Sequence, residues 1–167
     1  MDVRNVDGYA GGNMRLNFYD TRLSENGRTV LVKEKGINYG TGSADRPENI
    51  TRLMKDVLDM DRLAEEHCYM IALNGACEII GVFFVSKGKA DTGIMNTREI
   101  YMRALLIGAV MIVICHNHPS GRVKPSSTDI DTTIKIKQAG ELVGIPLIDH
   151  IIIGSDGYYS FAENGIL

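Results

Sequence analysis

The sequence has no tryptophan, only three cysteines and no excess of basic residues. Cys68, Cys77 and Cys115 show no CxxC spacing, so we expect neither a disulfide framework nor a cysteine-based zinc knuckle. Lys and Arg total 18 against 21 Asp and Glu, a formal charge of −3, which argues against a non-specific DNA-binding surface. The aromatic residues suggest no platform on which bases would stack.

Long apolar runs are also missing. No segment approaches the ~20 apolar residues that a membrane-spanning helix needs. The start, MDVRNVDGYAGG, lacks the basic and apolar regions of a secretory signal, and its glycines predict a loose terminus over residues 1–12. We therefore expect a cytoplasmic protein without membrane contact.

The length and apolar content predict one globular domain. The chain has 167 residues, of which 44% are apolar, and this is enough to bury a core without a disulfide or a structural metal. Strand and helix patterns alternate without internal repeats, which indicates a mixed α/β domain. Any metal site is therefore expected to be functional.

Hydrophobic periodicity predicts the individual elements. Residues 14–18 and 29–32 predict an N-terminal hairpin, and residues 36–45 a loop. Helices are predicted from Pro47, after an N-cap at Thr97, and over residues 128–143. In the second of these, the predicted inner side is Ile100, Ala104, Leu105 and Ile107. The remaining predicted strands are residues 68–73, 78–85, 110–115, 147–153 and 158–161.

Two histidines follow the apolar run 110–115. His116 and His118 are two apart, so on extended backbone both imidazoles project from the same face, ~7 Å apart along the strand, and can reach one ion. Histidines that hydrogen-bond to backbone carbonyls at a strand end would explain the pair equally well. The neighbouring residues must decide between the two interpretations.

Ser126 and Asp129 complete a longer pattern: His-x-His, seven residues, Ser, two residues, Asp. Shuffled sequences of this composition contain it in roughly 3 of 10,000 cases. Two imidazoles and one carboxylate form a three-ligand zinc set that leaves the fourth position for water, which points to hydrolysis. A helix-capping box explains the same serine and aspartate, and the two roles are compatible.

The segment HNHPSG at residues 116–121, with Pro125, Ser126 and Asp129, resembles the JAMM signature of the JAB/MPN metalloprotease fold in its bacterial form, RadC. Arg98-Glu99 and the LIDHII segment are also similar to RadC. The resemblance covers residues 45–167 and leaves residues 1–44 outside, as an N-terminal arm or hairpin. It implies a cytidine-deaminase-like three-layer α/β fold, with a central mixed sheet flanked by helices.

The resemblance also implies site residues. One zinc ion would be held by His116, His118 and Asp129, and Ser126 would donate a hydrogen bond to the oxyanion. A glutamate would be the general base that activates the metal's water. We choose Glu66, which lies between the first helix and the central hairpin, where this fold places its base. The alternatives are Glu99, at a helix N-terminus, and Glu65.

Three further side chains are candidates for ligands. We interpret His67 as structural or exposed, because it lies on the other strand face from Glu66. His150 lies inside an apolar strand and is interpreted as a hydrogen-bonded residue of the core or behind the ligands. Strand alternation places Cys115 opposite His116, so we exclude it as a ligand.

The resulting hypothesis is a zinc-dependent metalloprotease or isopeptidase-like hydrolase that acts on a peptide or protein substrate. The alternative is a nucleic-acid-associated module, as the DNA-repair label of RadC proteins suggests, or a scaffold with a vestigial metal site. We find no helix-hairpin-helix pattern in these residues, which disfavours nucleic acid as a partner. An exposed strand edge would permit a homodimer.

Overall fold

A seven-stranded mixed sheet forms the centre of the protein. We obtained the structure as a computed structural model, which describes residues 14–40, 46–88 and 95–167. The strand order is β2-β1-β4-β3-β5-β6-β7, in which β1 and β4 are parallel, β5 and β6 are parallel, and the other neighbours are antiparallel. The strands are β1 (Met14–Leu23), β2 (Thr29–Tyr39), β3 (Glu66–Leu73), β4 (Ile79–Gly88), β5 (Met111–Asn117), β6 (Leu147–Gly154) and β7 (Gly157–Ser160).

Within the described residues, three helices cover the two faces of this sheet: α1 (Pro47–Leu58), α2 (Thr97–Ile107) and α3 (Ser127–Val143). Helix α1 packs Leu53 and Met54 against one face, together with Val113 of β5. Helices α2 and α3 pack against the other face, where Ile114 of β5 meets Ile136 of α3. The fold is therefore the predicted three-layer α/β architecture with a central mixed sheet.

The alternation of β5 between the two cores explains why its sequence is continuously apolar. Both faces of the strand are covered by helices, and its residues from Ile112 to Asn117 are all buried. Strand β5 pairs with β3 on one side and with β6 on the other, so it lies in the interior of the sheet. Its carboxyl end is the point where the histidine segment leaves the sheet.

The N-terminal hairpin is longer than predicted and completes the sheet. Strand β1 pairs with all of β2 and, at Phe18 and Tyr19, runs parallel to β4. The predicted loop over residues 36–45 is wrong for its first four residues, because residues 36–39 pair with residues 14–17. Gly40 is a bend after β2, and residues 41–45 and the predicted loose terminus lie outside the described residues.

Helix α2 also departs from the prediction at its start and on its inner face. Asn96, not Thr97, is the N-cap, and its side chain accepts a hydrogen bond from the backbone N–H of Arg98. The predicted cap at Thr97 is thus wrong by one residue, since Asn is at least as favourable an N-cap as Thr. Leu105 is exposed instead of buried, and Tyr101 takes its place on the inner face. In the described parts of the chain, no helix is both long and apolar enough to cross a membrane.

Candidate metal centre

His116 and His118 lie at the carboxyl end of β5. The antiparallel ladder pairs His116 with Cys68 of β3, and the backbone N–H of His118 donates to the carbonyl of Ile153 at the end of β6. His116 is buried and His118 is half-buried. The strand thus delivers one ring into the protein and the next toward its surface, both on the face that carries α3.

Asp129 comes from the first turn of α3, and a capping box fixes it. The Ser126 side chain accepts from the Asp129 backbone N–H at 3.1 Å, and the Asp129 Oδ2 accepts from the Ser126 backbone N–H at 2.7 Å. The Ser126 hydroxyl also donates to Oδ2 at 2.7 Å. These contacts fix the Oδ2 oxygen and leave Oδ1 directed at His116.

The three side chains converge on one point. His116 Nε2 lies 3.0 Å from His118 Nε2 and 3.4 Å from Asp129 Oδ1, and His118 Nε2 lies 3.5 Å from Asp129 Oδ2. Ligands ~2.0–2.1 Å from one tetrahedral ion are themselves ~3.3 Å apart, so the spacing fits a single metal ion. Among the described residues, this cluster of His, Cys, Asp and Glu side chains has three members, His116, His118 and Asp129.

Charge explains why a cation suits this position. Burial lowers the pKa of His116 to about 4, which keeps its imidazole neutral. Burial also opposes ionisation of Asp129, but the hydrogen bond with His118 and the nearby His116 hold the pKa of this carboxyl well below its usual range. For His118, hydrogen bonds to Asp129 and to the Arg122 backbone outweigh burial and raise the pKa. A buried carboxylate beside two imidazoles is a donor set suited to a divalent metal.

The loop after β5 fixes the His118 ring. Its Nδ1 lies 2.8 Å from the Arg122 carbonyl oxygen. Because a carbonyl only accepts, Nδ1 carries a proton, so in the neutral ring Nε2 is the nitrogen whose lone pair is available to a metal ion. The loop itself sits against the end of β6, where the carbonyl of Gly121 packs on Gly154 so closely that no Cβ would fit there.

A second chain of contacts lies behind His116. Its Nδ1 is 2.7 Å from His150 Nε2, and His150 Nδ1 is 2.6 Å from the Thr133 hydroxyl. That hydroxyl donates to the Asp129 carbonyl at 2.6 Å. His150 is fully buried, in line with its interpretation as a hydrogen-bonded residue of the core. The sequence analysis missed Thr133, which has no spacing signal of its own, since its partner His150 comes from another element.

Glu66 begins β3 at the same end of the sheet. Extending the ladder two residues beyond the Cys68–His116 pair places Glu66 across from His118, on the same face. Its carboxylate is close enough to contribute to the raised pKa of His118. Asn117 anchors the backbone here, accepting from the His67 N–H at 2.7 Å and donating to the Glu65 carbonyl at 3.1 Å.

The two alternative glutamates have other ion-pair partners. Glu65 forms a salt bridge with Lys87 of β4. Glu99 pairs with Arg98 at 2.7 Å and with Arg103, one helical turn later, at 3.2 Å. Neither appears among the charges that act on the pKa of His118, where Glu66 does.

The remaining candidates lie away from the cluster. His67 packs edge-on against Phe84, with ring centroids 5.6 Å apart, and burial lowers its pKa. Cys115 is buried in the core on the α1 side, opposite His116. Burial there holds the pKa of the Cys115 thiol well above its usual range, so it stays protonated.

Comparison with known proteins identifies relatives of this fold and site. The model of the RadC-like JAB domain family matches residues 44–166. A UPF0758 protein of Clostridium botulinum (strain Alaska E43 / Type E3) is 42% identical over 131 residues, which cover 75% of this chain and 56% of the relative. A UPF0758 protein of Staphylococcus haemolyticus is 38% identical over 119 residues, covering 71% and 51%. The chain thus spans about half the length of the curated relatives it matches.

Proposed function

The chain belongs to the family of RadC-like JAB domains, and from this premise we propose that it is a zinc-dependent hydrolase of peptide or isopeptide bonds. The observation that carries the proposal is the convergence of two imidazoles and one carboxylate within 4.8 Å. Three protein ligands leave one tetrahedral position for the reacting molecules, as catalytic zinc sites do.

The zinc would be held by Nε2 of His116, Nε2 of His118 and a carboxylate oxygen of Asp129. When bound, zinc lowers the pKa of a water molecule toward ~7 and polarises a substrate carbonyl. The protein supplies the orientation of this set: β5 positions the two rings, and the capping box of α3 positions the carboxylate.

Glu66 is the proposed general base. Its support is its position at the start of β3, across from His118, and its electrostatic effect on that residue. The carboxylate would take a proton from the attacking water and hand it to the leaving amine. General acid–base catalysis of this kind is commonly worth ~10²–10⁴ in rate. No covalent intermediate with the protein is required.

Ser126 is the proposed donor to the oxyanion. Its hydroxyl donates to Asp129 Oδ2, so it must turn away from that carboxylate to reach a substrate. The backbone N–H of Ser126 also donates to Oδ2 and would keep the carboxylate in place during this rotation. In this proposal Ser126 has two roles: it orients Asp129, and it donates a hydrogen bond to the oxyanion of the substrate.

Metal stoichiometry tests the proposal. Protein purified without a metal-affinity column, then supplied with zinc, should hold about one ion by native mass spectrometry. His118→Ala and Asp129→Ala should lose it, and His67→Ala, which alters a histidine outside the cluster, should keep it. Glu66→Gln should also keep the ion, which makes it the inactive control for screening peptide and isopeptide substrates.

The outcomes separate the two halves of the proposal. A wild-type chain that stays metal-free in excess zinc would overturn the hydrolase assignment, and partners of a scaffolding or nucleic-acid-associated module should then be sought. If the wild type binds zinc and Glu66→Gln cleaves a substrate as fast as the wild type does, the metal site would stand and Glu66 would be excluded as the base.

A further inference from the structure

Thr133 and His150 form a buried polar pair between two of the metal-site residues. Both side chains are fully buried, one on α3 and the other on β6. Their contact joins the His116 ring to the Asp129 backbone through three hydrogen bonds of 2.6–2.7 Å. Polar groups buried this deeply are costly unless their donors and acceptors match, so the direction of each bond matters.

The direction of these three hydrogen bonds follows from the last acceptor, the Asp129 carbonyl. The Asp129 carbonyl can only accept, so the single proton of the Thr133 hydroxyl is committed to it. That hydroxyl can then only accept from His150, which places the His150 proton on Nδ1. Neutral His150 consequently has its lone pair on Nε2.

The same logic reaches the metal site. With a lone pair on His150 Nε2, the facing Nδ1 of His116 must be the donor. His116 then carries its proton on Nδ1 and presents the lone pair of Nε2 to His118 and Asp129. If these hydrogen bonds ran in the opposite direction, His116 would carry its proton on Nε2, at the position where a metal ion must bind.

We propose that Thr133 and His150 are positioning residues that hold His116 in the tautomer required for binding a metal ion. This inference rests on the proposed zinc site. The pair acts at a distance from the ion, since His150 touches His116 and Thr133 touches the backbone of Asp129. The pair also links two proposed ligands, His116 of β5 and Asp129 of α3. A substitution at Thr133 or His150 should therefore alter the orientation of both ligands.

Zinc affinity in three variants tests the proposal. Thr133→Val keeps the size of the side chain and removes both hydrogen bonds of the hydroxyl, so zinc affinity should fall ~10–100-fold in competition with a chelator. Thr133→Ser restores the hydroxyl and should recover most of the loss. The matched control is Thr51→Val, a buried threonine of α1 whose hydroxyl has no hydrogen-bond partner among the described residues, and it should bind zinc as the wild type does.

Nitrogen-15 spectra of the wild-type histidine rings test the tautomer directly, whether or not the valine variant folds. With zinc bound, His116 and His150 should both carry their protons on Nδ1. A proton on Nε2 of His150, or equal zinc affinity in folded Thr133→Val and wild type, would overturn the inference and leave the zinc site intact. A wild type that binds no zinc would instead overturn the proposed function on which the inference rests.

Discussion

The side chain of Asn117 holds the backbone on both sides of Glu66. Its Oδ1 accepts from the N–H of His67 and its Nδ2 donates to the carbonyl of Glu65. Asn117 is 1% exposed, and it lies between the two histidines of the candidate metal centre. The same three residues of β5 and its following loop therefore contribute two candidate metal ligands and fix the position of the proposed base.

Replacing Asn117 should loosen the start of β3. Asn117→Ala removes both hydrogen bonds and leaves buried polar groups unpaired, so it should destabilise the protein by about 1–3 kcal/mol. Asn117→Asp keeps the acceptor for the His67 N–H but replaces the donor to Glu65 with a carboxylate oxygen that faces the Glu65 carbonyl. In hydrogen exchange, the His67 amide should therefore lose protection in the alanine variant and retain it in the aspartate variant. Equal protection in both would contradict the bridging role of the amide.

The close packing of Gly154 should control the His118 loop. A Cβ at Gly154 would overlap the Gly121 carbonyl, so Gly154→Ala should displace the loop that orients the His118 ring. We expect zinc affinity to fall ~10–100-fold, the usual effect of losing support around a ligand. The control is Gly75→Ala, where a Cβ meets no atom of the described residues within 4 Å. Unchanged affinity in Gly154→Ala would show that the loop adapts.

Two substitutions at Ser126 should separate its structural role from its catalytic role. Ser126→Ala loses the N-cap of α3 and should cost about 0.5–2 kcal/mol of stability, whereas Ser126→Gly should cost only a few tenths of a kcal/mol. Neither variant has a side-chain donor, so if Ser126 donates to the oxyanion, both should lower kcat by about 10²–10³ once a substrate is known. Full activity in Ser126→Gly would assign the serine to capping alone.

Acid should destabilise the metal-free protein through its buried histidine. The pKa of His116 is lowered by burial to about 4, against an ordinary value of 6.5. Between these values the unfolded chain binds a proton that the folded chain does not, so this contribution is fully present above about pH 6.5 and is lost as the pH falls toward 4. Urea unfolding from pH 7.5 to 4.5 should show stability decreasing with acid, and His116→Gln should reduce the slope by up to about 1.4 kcal/mol per pH unit.

His118 contributes to the pH dependence of stability with the opposite sign to His116. Its pKa is raised in the folded protein, so its contribution is present at low pH and is lost as the pH rises through the folded value. His118→Gln should therefore steepen the loss of stability on acidification. Parallel curves for wild type and both variants would contradict the protonation states assigned to the site.

The convergence of His116, His118 and Asp129 could be predicted from the sequence because the geometry of this cluster is local. A strand fixes the two rings, and a helix N-terminus with a capping signature fixes Asp129, so spacing alone carries the information. Spacing alone does not select Glu66, because its position depends on the register between β3 and β5. The choice of Glu66 came from the family resemblance. Thr133 and Asn117 could not be found in this way. Their contacts join separate elements, and neither residue type is rare enough to attract notice.

The hairpin and the helix ends show a second limit of sequence patterns. Residues 36–39 resemble a loop because of their glycine, yet cross-strand pairing with β1 draws them into β2. At α2, Asn and Thr are both favourable N-caps, and the structure uses Asn96 instead of the predicted Thr97. Local residue preference predicts whether a segment is a helix or a strand, but the residues at which the segment ends also depend on contacts with neighbouring residues.

All three candidate ligands come from residues 116–129, whereas Glu66 comes from a strand fifty residues earlier. Bringing together ends so close in the chain costs little loop-closure entropy, so these three side chains could gather around an ion before the sheet is complete. The proposed base reaches the site only when β3 has docked on β5. During folding, or in a damaged chain, metal capture should thus precede catalytic competence, and metal content should overestimate the fraction of molecules that can react.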